Sequence, residues 1–452
     1  MTHGLEGAGS AVHARRSRSR VRQLFAWPGR SRRGVRLAVT SFIGAALLWP
    51  CAVQAAPTQG PDTTVLTLEQ ALARAEEASG LVRRARAERE VVAARDVGAS
   101  LLLPSNPVLS GSAGPRHEND PGGRLAGTSY AFHLEQAIEL AGQRGTRRAE
   151  VARAVEVARW REALARAEIR ARVRAAYVGA QLAEALIQAA RRRVELVQRL
   201  VDGVETRVHA GAASSVDLQL ARVERGRAVR ERLTAELAKA NALAELRLLI
   251  AAAPERPLEV TGQVAQPAAP APLGKLLALA RAQRAELKVL VASHDEVDAA
   301  IVRLKREAVP SPTLFLDMQR DLPGQLYVGG GVALPLPFWR RNQGELAVAR
   351  AERARLDTEN DATEREIEGE VAAAYQGLAT NVQIVQTLEN DVLPAAEAAV
   401  ELTTEGWRAG KFDLFRVIQA SREASDARRN QLESLGALWQ AAIAVDRATG
   451  TP

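Results

Sequence analysis

Histidine and methionine are the side chains through which this chain could most simply bind a transition metal. Beyond residue 55 the sequence contains one methionine other than Met1 and four histidines: His117, His133, His209 and His294. None of them forms a pair at the short spacings typical of zinc or copper ligands. The sequence therefore predicts no bound metal, and each histidine is interpreted as a solvated polar residue.

Residue combinations that support catalysis are also missing from the sequence. It contains no Walker-type phosphate loop, zincin helix or nucleophile elbow, and Gly329-Gly330-Gly331 lacks the strand-to-helix context of a phosphate cradle. The carboxylates of residues 364–370 fall on predicted exposed helical positions, as expected for a solvated face. We predict that the protein is not an enzyme and needs no cofactor.

The excess positive charge is confined to the first 55 residues. This segment holds nine arginines against one acid, Glu6, which accounts for the whole net charge of +8 and leaves residues 56–452 neutral. A nucleic-acid surface is thereby excluded. An apolar run follows at residues 37–49, and small residues precede and include Ala55, so residues 1–55 are predicted to be a secretory signal peptide. Cys51 is alternatively a lipid acceptor, although Pro50 replaces the small residue that such a site requires.

The strongest pattern is an apolar repeat over residues 169–208, with alternating steps of four and three residues. This spacing predicts a supercoiled helix. Adding 198 to each position gives a second stripe over residues 367–402, with one polar exception at Asn381, and places Tyr177 on Tyr375. We interpret the two stripes as the duplication of one ancestral unit.

Each half predicts the same order of elements. An opening helix, over about residues 67–103 or 273–308, ends at prolines, and two strands follow. A long helix is then predicted over about residues 143–209 or 343–408, and a glycine turn leads into a returning helix. A helix of about 66 residues is roughly 100 Å long, which is the reach of an object between two membranes.

The domain organisation follows from this order. We predict a first repeat over residues 56–252, a linker rich in proline and alanine over residues 253–272, and a second repeat over residues 273–449.

The predicted strands alternate between apolar and polar residues. Leu314, Leu316 and Met318 fall on one side of their strand, with Phe315 as an exception on the other side. Phe132 and Leu134 fall on one side of another strand. Either a membrane barrel or a soluble sheet packed on one face gives this pattern. No stretch after the signal peptide has about 18 consecutive apolar residues, so a membrane would have to be crossed by strands. Four strands cannot enclose a useful pore, and several chains would have to contribute.

Three segments carry a resemblance to a known family. Residues 134–145 read LEQAIELAGQRG, residues 332–344 read VALPLPFWRRNQG, and residues 392–410 read VLPAAEAAVELTTEGWRAG. In this order they resemble the strand-to-helix junctions and the second hairpin tip of the TolC-type outer-membrane efflux channels, the outer membrane factors. The resemblance covers nearly all of residues 65–449, and the first segment is most similar to the heavy-metal branch.

The resemblance implies a mainly α fold with a membrane β-barrel portion, formed by a homotrimer in the outer membrane that extends into the periplasm. It implies a passive exit duct, coupled through a periplasmic adaptor (membrane fusion protein) to an inner-membrane pump of the resistance-nodulation-division (RND) type. Heavy-metal cations are the expected cargo, and drugs or other small molecules are the alternative. A periplasmic adaptor would have a single hairpin between β-rich halves, and a structural coiled coil would not repeat strand pairs at one offset.

The resemblance also implies a gate at the hairpin tips. Asp217 and Asp413 are predicted to occupy matching places after the two turns, where a carboxylate accepts bonds from free helical N–H groups. The second tip alone carries a set of cations that could bridge to a neighbour, since Leu220 is predicted to match the last of them: Arg408, Lys411 and Arg416.

Overall fold

The computed structural model describes residues 64–120, 123–321 and 325–451. The predicted signal peptide and Cys51 lie outside these residues.

Two long helical hairpins form most of the described chain, as the apolar repeat predicted. In the first, α3 (Gln143–His209) runs for 67 residues, about 100 Å, and α4 (Ser215–Leu249) returns beside it. The outgoing arm of the second hairpin comprises α7 (Gln343–Thr387), a π-helical turn (Leu388–Val392) and α8 (Leu393–Arg408). Its returning helix is α9 (Leu414–Thr449). At the two tips, Gly211 and Gly410 share a φ of 71°, in the left-handed region that suits glycine.

The π turn corrects the predicted second stripe. Up to Leu388 the residues 198 positions after the first stripe do face the core, as Val371 and Val385 show. Beyond the π turn, Val392 and Leu402 of the predicted stripe are exposed, and Leu393 and Trp407 are buried instead. A π turn accommodates one extra residue in a helix, so the offset between the halves changes from 198 to 199.

The opening helices are each broken in two, which corrects the prediction of single helices over residues 67–103 and 273–308. The observed elements are α1 (Leu68–Ala78), α2 (Gly80–Ala99), α5 (Leu273–Gln283) and α6 (Ala285–Glu307). Both breaks have the same extended backbone, with φ and ψ of −58° and 128° at Ser79 and −56° and 124° at Arg284. The Ser79 hydroxyl accepts a bond from the Leu81 N–H (3.2 Å) and so caps the second piece.

A four-stranded antiparallel sheet connects the helices, with the order β2 (Val108–Asp120), β3 (Gly123–Ala137), β5 (Thr313–Arg320), β6 (Leu326–Ala333). The two predicted strand pairs are hairpins within this sheet, and they meet where β3 pairs with β5. In the register, Leu134 lies opposite Leu316, and Leu314 lies opposite Val332. The apolar residues of neighbouring strands therefore share one face.

A small parallel sheet of β1 (Thr64–Leu66) and β4 (Leu258–Val260) was not predicted. The β4 strand lies within the predicted linker and pairs with the strand that precedes α1. The Tyr177 hydroxyl oxygen lies 3.0 Å from the Leu66 carbonyl oxygen and 2.9 Å from that of Thr261, which fixes this sheet against α3.

In the described part of the chain, no helix is both long enough and apolar enough to cross a membrane.

Candidate functional site

One face of the four-stranded sheet is apolar and open to the surroundings. We call it the apolar face; its exposed apolar members are Leu109, Phe132, Leu134, Leu314, Leu316, Met318, Leu326, Val328 and Val332. Leu316 is 53% exposed and Val328 60%, although both lie well inside their strands. Monomeric soluble proteins rarely expose a continuous apolar surface of this kind, which marks an interaction surface.

The opposite face of the sheet is polar. His133 lies at its centre, with Nδ1 2.6 Å from the Asp317 carboxylate and Nε2 3.4 Å from that of Glu135. The Phe315 ring stacks on the imidazole at 5.7 Å between centroids. Across the described residues, no group of three or more His, Cys, Asp or Glu side chains is arranged to hold a metal ion. This face is therefore a solvated polar surface that backs the apolar one.

The sheet has two free edges. In the described residues β2 pairs only with β3, and β6 pairs only with β5. Strand edges with unpaired N–H and C=O groups bind further strands readily, and closure into a barrel is one way in which proteins remove them.

At the hairpin tips the structure separates the two aspartates that were predicted to match. Asp413 is the N-cap of α9, and its carboxylate accepts a bond from the Arg416 N–H (3.1 Å). Asp217 lies in the first turn of α4, where its carboxylate accepts from the Ser214 N–H (3.2 Å) in a capping box. The residue that matches Asp413 is thus Ser214, and Asp217 rather than Leu220 matches Arg416.

The three cations of the second tip are exposed. No ion pair of Arg408, Lys411 or Arg416 with a carboxylate occurs among the described residues. The Arg416 guanidinium lies 5.2 Å from the centre of the Phe412 ring. Their charges are consequently free to act outside the chain.

The two tips of one chain are locked together by Trp407. This side chain packs in an apolar cluster with α3, α4 and α9, including Val204, Ala221 and Val417. Arg207 of the first hairpin lies 4.2 Å from the centre of the indole and donates a hydrogen bond to the Trp407 carbonyl (3.0 Å). The first hairpin thus positions the second.

A buried ionic layer lies several turns along α3, α4 and α9 from the tips, and it was not predicted from the sequence. Glu224 of α4 is only 4% exposed, and its carboxylate accepts hydrogen bonds from Arg422 of α9 (Nε, 3.1 Å) and Arg227 of α4 (2.7 Å). Arg193 of α3 lies 3.9 Å away and is bound to Glu231 (2.5 Å). A signal for this layer exists, because Glu224 and Glu231 occupy core positions in the α4 repeat between Ala221, Ala228 and Ala235.

Burial of the Glu224 carboxyl opposes its ionisation. The hydrogen bond from Arg422 and the charges of Arg422, Arg227 and Arg193 outweigh this effect and lower the pKa of Glu224. The carboxylate is therefore ionised at neutral pH and holds together three helices from both hairpins.

Comparison with known proteins agrees with this arrangement. Residues 276–451 match the family model described as outer membrane efflux protein. The cobalt-zinc-cadmium resistance protein CzcC of Cupriavidus metallidurans is 32% identical over 318 residues, which cover 69% of this chain and 75% of that protein.

Solved structures share the fold at lower identity. CusC superposes with a TM-score of 0.67 at 16% identity, covering 85% of this chain and 92% of that one. The CmeC outer membrane channel of Campylobacter jejuni gives 0.66 at 16% identity over 85% of each chain. The open state of the MtrE outer membrane channel of Neisseria gonorrhoeae gives 0.65 at 17%, over 85% and 88%.

The shared architecture defines the class of this fold, that of the outer-membrane channels. The chain belongs to the outer membrane efflux protein family.

Proposed function

We propose that three copies of the chain form an exit duct in the outer membrane, with their sheets joined edge to edge in one barrel. The observation that carries this proposal is the sheet, which has an exposed apolar face, a polar face and two free edges. Four strands are too few to enclose a pore, and joining the edges of several sheets satisfies every one of them. The apolar face would contact lipid, and the polar face with His133 would line the duct.

The hairpins supply the length of the duct below the sheet. At about 100 Å, α3 can extend from the outer membrane across much of the periplasm. We place the tips at the far end, where a periplasmic adaptor and an inner-membrane RND-type pump would dock. No residue arrangement for catalysis is needed for this role, because the pump supplies the energy.

We propose heavy-metal cations as the cargo. The support is the identity of 32% to a protein whose name specifies cobalt, zinc and cadmium resistance. A duct for such cations should be polar, as the face around Asp317 is.

The candidate gate remains at the tips. Exposed and without carboxylate partners in the described part of their own chain, Arg408, Lys411 and Arg416 are suited to bridge to a neighbouring copy, with Asp217 and Asp413 as possible acceptors. Each exposed pair would contribute only about 0.2 to 1 kcal/mol, so a docked adaptor could separate them. The repeats over residues 56–252 and 273–449 are proposed to be the two units of the duplication, and residues 253–272 the linker that joins them.

The experiment that tests the cargo is deletion of the gene in its own host. Growth should become more sensitive to cadmium, zinc or cobalt than to organic drugs, and reintroduction of the intact gene should restore tolerance. Purified protein in detergent should have three times the subunit mass. A stable soluble monomer would contradict the duct, whereas unchanged metal tolerance in the absence of a second channel gene would contradict only the cargo.

A further inference from the structure

We propose that the junction between β6 and α7 binds anionic phospholipids of the leaflet on the helical side of the sheet. The inference rests on the proposed function, which places the sheet in a membrane. It adds a ligand, the phosphate headgroup of a glycerophospholipid, and names the residues that bind it.

The sheet meets the helices at one level of the molecule. Three hydrogen bonds tie neighbouring strand-to-helix junctions together: Arg144 Nε to the Ser100 carbonyl (2.7 Å), Gln143 Nε2 to the Val309 carbonyl (3.4 Å) and Asn342 Nδ2 to the Leu304 carbonyl (3.0 Å). Residues that follow β6 therefore lie at the level where the apolar face ends.

The segment after β6 exposes large apolar side chains at this level. Trp339 is 84% exposed and Phe338 64%, and their rings meet edge to face with centroids 5.9 Å apart. Leu336 precedes them, and Leu102 and Leu140 are similarly exposed at the other junctions. Exposed tryptophan next to an apolar surface is typical of the boundary between hydrocarbon and headgroups.

Two arginines come directly after the aromatic pair. Arg340 is exposed and has no carboxylate partner among the described residues. Arg341 donates Nε to the Pro337 carbonyl (2.9 Å), which fixes the side chain at the junction. In the described part of the chain its guanidinium makes no ion pair with a carboxylate. At the end of α6, Lys305 and Arg306 are also exposed and without ion pairs in the described part of the chain.

The order of these residues along the chain matches the order of layers in a bilayer. The apolar face comes first, the aromatic pair next, the arginines after it, and then the polar surface of α7. Guanidinium groups at headgroup depth bind phosphate through paired hydrogen bonds. Free phosphate would satisfy the arginines but not Trp339 and Phe338, which need acyl chains or glycerol beside them.

The test uses the emission of Trp339, measured as the signal lost in the Trp339→Phe variant, in full-length protein reconstituted into vesicles. Both vesicle preparations contain the same fractions of phosphatidylglycerol and phosphatidylcholine. In one the phosphatidylglycerol is brominated, and in the other an equal amount of the phosphatidylcholine is brominated. We expect the brominated phosphatidylglycerol to quench more strongly, with an enrichment at the site of about fivefold for each arginine that contacts it.

Matched variants identify the source of the preference. Arg340→Gln with Arg341→Gln should make the quenching of Trp339 equal for the two brominated lipids. Arg340→Lys with Arg341→Lys should retain part of the enrichment of phosphatidylglycerol. Arg191→Gln with Arg192→Gln makes the same change of charge in α3, about 70 Å from the junction, and should leave the enrichment intact.

Two outcomes separate this inference from the function on which it rests. Equal quenching by both lipids in the unsubstituted protein overturns the headgroup site and leaves the membrane placement standing. An absence of quenching by either lipid puts Trp339 away from the bilayer and overturns both.

Discussion

Replacement of the buried Glu224 by glutamine should loosen the contact between the two hairpins. The substitution keeps the shape of the side chain but removes the charge that faces Arg422, Arg227 and Arg193. Breaking a buried ion pair on one side costs about 3 to 5 kcal/mol. Here the side chains of Arg422 and Arg227 are 35% and 51% exposed and can be solvated after the loss, so we expect about 2 kcal/mol.

The assay is hydrogen exchange of the backbone amides of α9 around Arg422. A loss of about 2 kcal/mol corresponds to roughly 30-fold faster exchange where the amides open locally. Glu236→Gln, on the same helix, is the matched control, because its pair with Arg232 is exposed and should change exchange by less than about threefold. Unchanged exchange in Glu224→Gln would show that the ionic layer does not hold the hairpins together.

Acidification should act through the same carboxyl. Because the pKa of Glu224 is lower in the folded protein, the stability it contributes is present above the unfolded pKa, about 4.3, and is lost as the pH falls through the folded value. Exchange in α9 should therefore be insensitive to this group from neutral pH down to about pH 4 after correction for intrinsic rates. Below that pH the difference between the unsubstituted protein and Glu224→Gln should shrink, and a difference that persists would contradict the assignment.

Three further changes test the proposed duct. Asp413→Ala with Arg416→Ala should raise single-channel conductance in planar bilayers; normal trimer yield with unchanged conductance would leave Asp413 as a cap that contributes about 1 kcal/mol. On the apolar face, Leu316→Lys should reduce the protein recovered in washed outer membranes, because a lysine that faces lipid costs about 2 to 4 kcal/mol. Gln319→Lys, on the polar face, should insert normally, and equal losses of the two variants would refute the assignment of the faces. Deletion of Asn390 should convert the π turn into regular α-helix and preserve trimer yield, because the buried stripe would then continue without a shift; loss of the trimer would show that the π turn is required.

The outer bounds of the two long outgoing arms could be predicted from the sequence to within a residue, but the π turn within the second arm could not. The end of α3 agrees with the prediction because apolar residues recur at every step of the 3.5-residue repeat over residues 169–208, and a glycine turn follows. The sheet could also be predicted, since the alternation over β5, which only Phe315 interrupts, leaves only the choice of which face is exposed.

Other features of the fold leave too little signal in the sequence to be predicted. The β1 and β4 strands have three residues each, which is too short for a period, and their pairing depends on contacts remote in sequence. Counting from the glycine turns aligns Asp413 with Ser214, but the offset of 198 residues taken from the apolar stripes does not. The breaks at Ser79 and Arg284 carry no proline, and at Arg284 the conformation is held by bonds to the Arg447 carbonyl (3.0 Å) and the Glu370 carboxylate (2.9 Å).

The π turn at Leu388–Val392 shifts the phase of the helical repeat in the outgoing arm of the second hairpin. One added residue rotates every turn beyond it by about 100° relative to an uninterrupted α-helix. Leu393 and Trp407 therefore face the core in the arm that ends at Arg408, whereas α3, a regular α-helix along its whole length, keeps one phase from end to end.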